Sequence, residues 1–178
     1  MAKPIRILIV SDLHAGHEVG LWPDRDMPMP DGRELPLNEG QAHLLKCWKH
    51  LAQAARDEIK PDILVVNGDL VDGEQRKSFG AEAATTIIAA QIKAAKKLLE
   101  PLVSLVKETY VLRGTPYHDG NRGMIVEGIA EVLGAVGPHA EWYSWSLLDL
   151  DVRGVIINIQ HSTSVATGLY RATPLDRE

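Results

Sequence analysis

The chain has one cysteine, Cys47, among its 178 residues. A lone thiol cannot close an internal disulfide, so a reducing cytoplasm is the expected setting. Membrane signatures are missing too: Lys3 and Arg6 stand at the head of an apolar segment ending at Val10, far too short for a signal-peptide core or a spanning helix. Positive charge is in deficit, with a formal net charge of -5, which argues against a broadly basic nucleic-acid binder. The deficit leaves phosphate substrates open, because bound divalent cations reverse the field at a site. Internal repeats, low-complexity tracts, a Walker loop, a dinucleotide glycine pattern, a Gly-x-Ser-x-Gly elbow and paired-cysteine zinc motifs are all absent.

What is present has the size and composition of one domain, 1–178. A chain this long buries roughly 70% of its unfolded surface without staples. Its 45% hydrophobic and 24% charged residues are ordinary for a globular protein.

Chemical signals cluster where apolar runs stop. Ile63 to Val66 is a continuous apolar run between Pro61 and Gly68, which predicts a short strand buried on both faces. Gly68 permits a sharp turn and presents Asp69 at the strand's carboxyl end, where open α/β folds keep their sites. Ile5 to Val10 is a second such run and leads into Asp12-Leu13-His14. In an extended backbone, residues two apart share a side, so that carboxylate and imidazole can converge. A mixed carboxylate and imidazole set suits a divalent transition metal such as manganese, iron or zinc.

The remaining elements follow in order. A long Gly- and Pro-rich stretch to Leu37 reads either as a lid or binding loop, with Trp22, Asp24, Arg25 and Arg33 to bind with and His17 to reach the site, or as a solvated excursion. Asn38 or the residues just before it cap a helix to about Glu58 with Ala42, Leu45, Trp48, Ala52 and Ala55 on its apolar face. That helix joins two parallel strands in a βαβ unit. Beyond Asp69 the loop carries Asp72, and a long helix is expected from Ala81 to Lys107, interrupted near Pro101. Thr109 to Leu112 predicts a third strand, exiting through Gly114-Thr115-Pro116-Tyr117-His118-Asp119. A helix from Asn121 to Leu133 follows. Trp142 to Leu150 then reads as one strand and Gly154 to Ile159 as its antiparallel neighbour, which exits at His161.

Asp12-Leu13-His14, Gly68-Asp69-Leu70-Val71-Asp72, Gly114 through His118-Asp119, and His161, in that order and each at a strand end, resemble the calcineurin-like metallophosphoesterases. The phage and prophage versions are the closest in character. The resemblance implies an α/β fold, a two-sheet mixed β-sandwich flanked by helices. It also implies two divalent metal ions, manganese first, with iron, zinc or nickel as alternatives. Asp12 and His14 would hold one ion, His161 the other, and Asp69 would bridge them. His118 would be the general acid or a phosphate-contacting imidazole, steered by Asp119. Substrates would be phosphomonoesters or phosphodiesters, nucleotides or nucleic acid included, in the host cytoplasm for a phage-borne chain.

The chain departs from the family pattern twice. Thr115 stands where the Gly-Asn-His-Asp box has a metal-binding Asn, and two extra residues precede His118. The closing strand with Gly-His-x-His is also missing before Glu178. A truncated piece, ligands supplied by a second copy or partner, and a non-catalytic relic of the fold each account for this. A missing strand would expose a sheet edge, so self-association is expected.

Overall fold

The computed structural model describes residues 3–24, 29–30, 32–75, 78–120 and 123–161. Arg25, Asn121 and the segment from 162 onward, to which expectations were attached above, lie outside the described residues. The elements are β1 (Ile7–Val10), α1 (Glu39–Ala54), β2 (Ile63–Asn67), α2 (Ile88–Val103), β3 (Glu108–Leu112), α3 (Pro116–Asp119), α4 (Met124–Val132), β4 (Ser144–Trp145), β5 (Leu148–Val152) and β6 (Val155–Ile159). Strands β1 to β4 form one parallel sheet in the order β1-β2-β3-β4, and β5 pairs with β6 in a separate antiparallel sheet. This is the expected two-sheet α/β architecture.

The apolar run of β2 explains how two layers form on one sheet. Leu64 and Val66 join the core that also holds Val10, Val111, Leu45 of α1, Leu98 of α2 and Ile129 of α4. Ile63 and Val65 face the other way, against Leu148 and Leu150 of β5 and Ile159 of β6. Alternate residues of a strand point to opposite faces, so a run without polar interruption is what a sheet covered on both sides requires. Helices cover one face of the parallel sheet and the hairpin covers the other.

Helix α1 begins where its cap dictates. The Asn38 side chain accepts from the Gln41 amide at 2.8 Å, and the Gln41 side chain accepts from the Asn38 amide at 3.3 Å, a reciprocal capping box. Gln41, not the expected Ala42, is therefore the buried residue of the first turn. One π-helical turn, Ala55–Ile59, carries the helix on to Lys60 and Pro61.

Two expectations are corrected. The second long helix starts at Ile88 rather than Ala81, because the backbone before it is committed elsewhere: Ala84 and Thr85 donate to the Gly16 carbonyl at 2.8 and 3.2 Å. The run from Trp142 to Leu150 is two strands, not one. Ser144 and Trp145 pair with Val111 and Leu112 in the parallel sheet, and after Leu147 the chain crosses to begin the hairpin. Apolar patterning identifies both segments as strands but does not say which sheet each joins.

The register places the site. Val10 pairs with Val66, and Asn67 with Leu112, so β1, β2 and β3 finish side by side. Pairing continues past the strand ends. Asp12, His14 and Ala15 donate their amides to the Gly68, Asp69 and Leu70 carbonyls at 3.0–3.1 Å.

Candidate metal centre

Three of the seven described non-glycine residues with positive φ are Asp12 at +56°, His14 at +43° and Asp69 at +48°. Left-handed backbone costs a branched residue of order 1 kcal/mol or more, and such strain concentrates at functional sites. Asp12 and His14 converge as expected, but through these turns rather than through extended alternation.

Glycines admit the close approach. A Cβ on Gly68, at φ +76°, would strike the His161 ring and come within 2.8 Å of the Gly114 Cα. A Cβ on Gly114 would strike Asp69. The exits of β2, β3 and β6 therefore meet with no room for a methyl group.

Asp69 lies at the middle and is buried. Its Oδ2 is 3.0 Å from His161 Nε2 and 4.0 Å from His14 Nε2, and His14 Nε2 is 3.7 Å from Asp12 Oδ1. Ligands of one first-row ion, each about 2.1 Å from it, stand about 3–4 Å apart, so these spacings fit shared cations. His161 Nδ1 donates to the Asn67 carbonyl at 2.6 Å, since a carbonyl can only accept. That bond orients the ring and leaves Nε2 toward Asp69, the arrangement usual for a metal-binding imidazole.

Orphaned polar atoms point the same way. Among the described residues, the buried side-chain atoms without a hydrogen-bond partner are His14 Nδ1, Asn67 Oδ1, Asp72 Oδ1 and Asp119 Oδ1. Buried carboxylate oxygens with no donor are costly unless a cation faces them. Asp12, His14 and Asp69 each offer an atom within 4.8 Å of the others, as do His14, Asp72 and His118. The donor set fits divalent metal.

Asp72 is the residue that sequence reasoning passed over. It is fully buried, its amide donates to the Ala15 carbonyl at 3.1 Å, and its Oδ2 accepts from the Gln75 side chain. Its Oδ1 lies 3.3 Å from His118 Nδ1 and 3.6 Å from His14 Nδ1. The nearby Asp72 carboxylate holds the His14 imidazole above its ordinary pKa, with Asp69 and Asp12 adding to it against the downward pull of burial. His118 Nδ1 also donates to the Asp72 carbonyl at 2.8 Å, and the His118 and His14 rings meet edge-on at 4.5 Å. Asp119 was expected to steer His118; the contact belongs instead to Asp72. The short helix α3 turns Asp119 back so that its Oδ2 accepts from the Gly114 amide. Burial pushes the Asp119 carboxyl up to about 6, despite that amide.

Supporting residues complete the frame. Thr115 donates its amide and hydroxyl to Asp69 Oδ1 at 2.7 and 3.2 Å. Gln91 of α2, fully buried, donates to the Gly73 and Thr85 carbonyls at 3.0 and 2.7 Å and accepts from the Gly73 amide at 2.9 Å. It thereby clamps the loop that carries Asp69 and Asp72. The expected role of Trp22 in binding is not what the structure gives it: with Leu21 and Met29 it is core. His17 stands 6.4 Å from His14, its Nδ1 accepting from the Val19 amide.

The model of the calcineurin-like phosphoesterase family matches residues 5–121. The chain belongs to this family. The match runs from β1 through α3 and takes in Asp12, His14, Asp69, Asp72, His118 and Asp119, while His161 lies beyond it on the exit of β6. No curated protein matches the chain. Family membership and the clustered metal-ligand side chains make this calcineurin-like phosphoesterase a metal-dependent one. No helix among its described residues is long and apolar enough to cross a membrane.

Proposed function

We propose that this phosphoesterase hydrolyses phosphodiester or phosphomonoester bonds, nucleotides among them, with a pair of divalent ions held by Asp12, His14, Asp69 and His161. Manganese is the ion this mixed donor set suits first. The observation that carries the reading is the position of one buried carboxylate, Asp69, against both His14 and His161. When bound, two such ions polarise the phosphoryl oxygens and acidify water toward neutrality.

The chain's own groups do the rest. Thr115 fixes the Asp69 carboxylate, and the Asn67 carbonyl fixes His161. Asp72 holds Nδ1 of His118, so the imidazole is oriented to give a proton to the departing oxygen. Asp119 acts at one remove, shaping the turn from Gly114 into α3. Ile9, half exposed on the edge strand β1, supports association with a second copy.

Asp69→Asn tests the assignment. Metal content per chain should fall, and turnover of an aryl phosphodiester and an aryl phosphomonoester in added manganese should drop by about a thousandfold or more, the scale of losing a principal electrostatic group. Wild-type turnover in this variant would overturn the reading.

A further inference from the structure

A cleft of about 700 Å³ opens beside Asp12, His14 and His118 and is lined beyond them by Val19, Leu21, Leu44, Trp48 and Leu51. The volume is that of a small-molecule site. Trp48 spends its Nε1–H on the Leu98 carbonyl at 3.0 Å, so its indole offers the cleft carbon surface. Leu44 and Val19 are 41% and 62% exposed, apolar groups left to solvent beside a catalytic centre. Charge agrees with shape. The carboxylates lining the cleft are Asp12 and Glu82, and among the described residues no lysine or arginine lines it. With Asp12 assigned to metal, a second phosphate on the substrate would meet Glu82 and no lysine or arginine among the described residues, whereas an uncharged apolar group would meet hydrocarbon.

We propose that this cleft seats the leaving group of the ester, and that the group is an uncharged, largely apolar alcohol. The proposal rests on the phosphoesterase reading above and names its substrate class. Because His118 shares the cleft with the apolar wall, an ester whose phosphoryl end sits at Asp12 and His14 carries its bridging oxygen past the imidazole. Water adds its oxygen to phosphorus as the bond from phosphorus to the bridging oxygen breaks. That oxygen leaves with a proton from His118, and the proton lost by the water restores the balance. The products are the phosphate and the apolar alcohol.

The test is a series of linear alkyl phosphates from methyl to hexyl, each as the monoester and as the methyl diester, given to the full manganese-loaded chain with the released alcohol measured. These alcohols have nearly equal acidity, so reactivity stays level while buried area grows. Each methylene removed from water is worth about fourfold, so kcat/KM should rise about a thousandfold over the five methylenes of the series. Leu44→Lys, at a half-exposed helix position that tolerates the change, should lower the hexyl-to-methyl ratio about tenfold, and Val19→Lys should do the same. A flat series, or a Leu44→Lys chain that keeps the wild-type ratio, overturns the assignment of the cleft and leaves the phosphoesterase standing. Failure to cleave any ester overturns the phosphoesterase reading and this proposal together.

Discussion

Gly68→Ala adds one methyl group where three strand exits meet, and its cost has two parts. The backbone there has φ +76°, a conformation that costs alanine about 1–2 kcal/mol over glycine. The new Cβ would also sit 2.8 Å from the Gly114 Cα and clash with Nδ1 and Cγ of the His161 ring. Overpacking of this kind costs about 1–3 kcal/mol. The total, roughly 2–5 kcal/mol, lowers the melting temperature of a domain this size by roughly 4–20 °C. The two obstacles differ in stiffness: Gly114 is backbone and cannot retreat, but His161 is a side chain and can be expelled. Expulsion breaks its bonds with the Asn67 carbonyl and the Asp69 carboxylate. Metal affinity should therefore fall at least tenfold to a hundredfold, the effect expected when a ligand loses its orientation. Leu102→Ala is the control. Leu102 is fully buried, lies three helical turns beyond Gln91, and should cost a comparable 2–5 kcal/mol or so. Thermal melts of metal-free protein, with manganese titrations by calorimetry, separate the two effects. Both variants should melt early, and Gly68→Ala alone should lose affinity. A Gly68→Ala chain with wild-type affinity would refute the convergence of β2, β3 and β6.

Glu127 on α4 accepts from the Tyr143 and Ser144 amides at 2.6 and 3.0 Å and lies 3.6 Å from Arg113, which ties α4 to β4. Burial raises its pKa, but the bonds from Ser144 and Tyr143 with the Arg113 charge outweigh it and hold the carboxyl below its ordinary range. A folded-state pKa below the unfolded value, about 4.3, means stability that is present above that pH and lost as pH falls through the folded value. Glu127→Gln should thus cost about 1–2 kcal/mol in chemical denaturation at pH 7, and the deficit should shrink toward pH 3. An equal deficit at both pH values would count against it. For self-association, sedimentation at micromolar concentration should show a species heavier than 19.6 kDa, and a Ile9→Lys chain should shift toward the monomer. A wild-type chain that sediments as a monomer removes that part of the proposal.

The strand exits were legible because their signals are local. Gly68-Asp69 and Asp12-Leu13-His14 each pair an apolar run with a chemistry-bearing residue within a few positions, and the parallel register then brings them together. Asp72, Gln91 and Trp22 were not legible, because partners distant in sequence decide them. Asp72 looks like one more loop carboxylate until its amide is seen on Ala15 and its Oδ1 beside two imidazoles. Gln91 falls in a helical pattern as a neutral polar residue, and only the folded loop shows it gripping Gly73. Trp22 lies in a Gly- and Pro-rich stretch where an aromatic suggests a ligand contact, yet long-range packing takes it into the core.

The convergence of Asp12 and His14 was foreseen through a local geometry that the chain does not use. Alternation in an extended strand would set the two side chains on one face, yet both residues are left-handed, and β1 has ended before them. What aligns them is the ladder of amides that continues from Asp12, His14 and Ala15 onto the Gly68 to Leu70 carbonyls. Each bond holds one loop against the other, and together they offset strain of order 1 kcal/mol at each left-handed residue. Asp69 shares that conformation, so the strain is matched on both loops. A strand alone would point its side chains up and down the sheet. Turned exits, locked to one another by backbone bonds and packed against a glycine, point them at a common centre, and this is why the centre lies beyond the strands rather than on them.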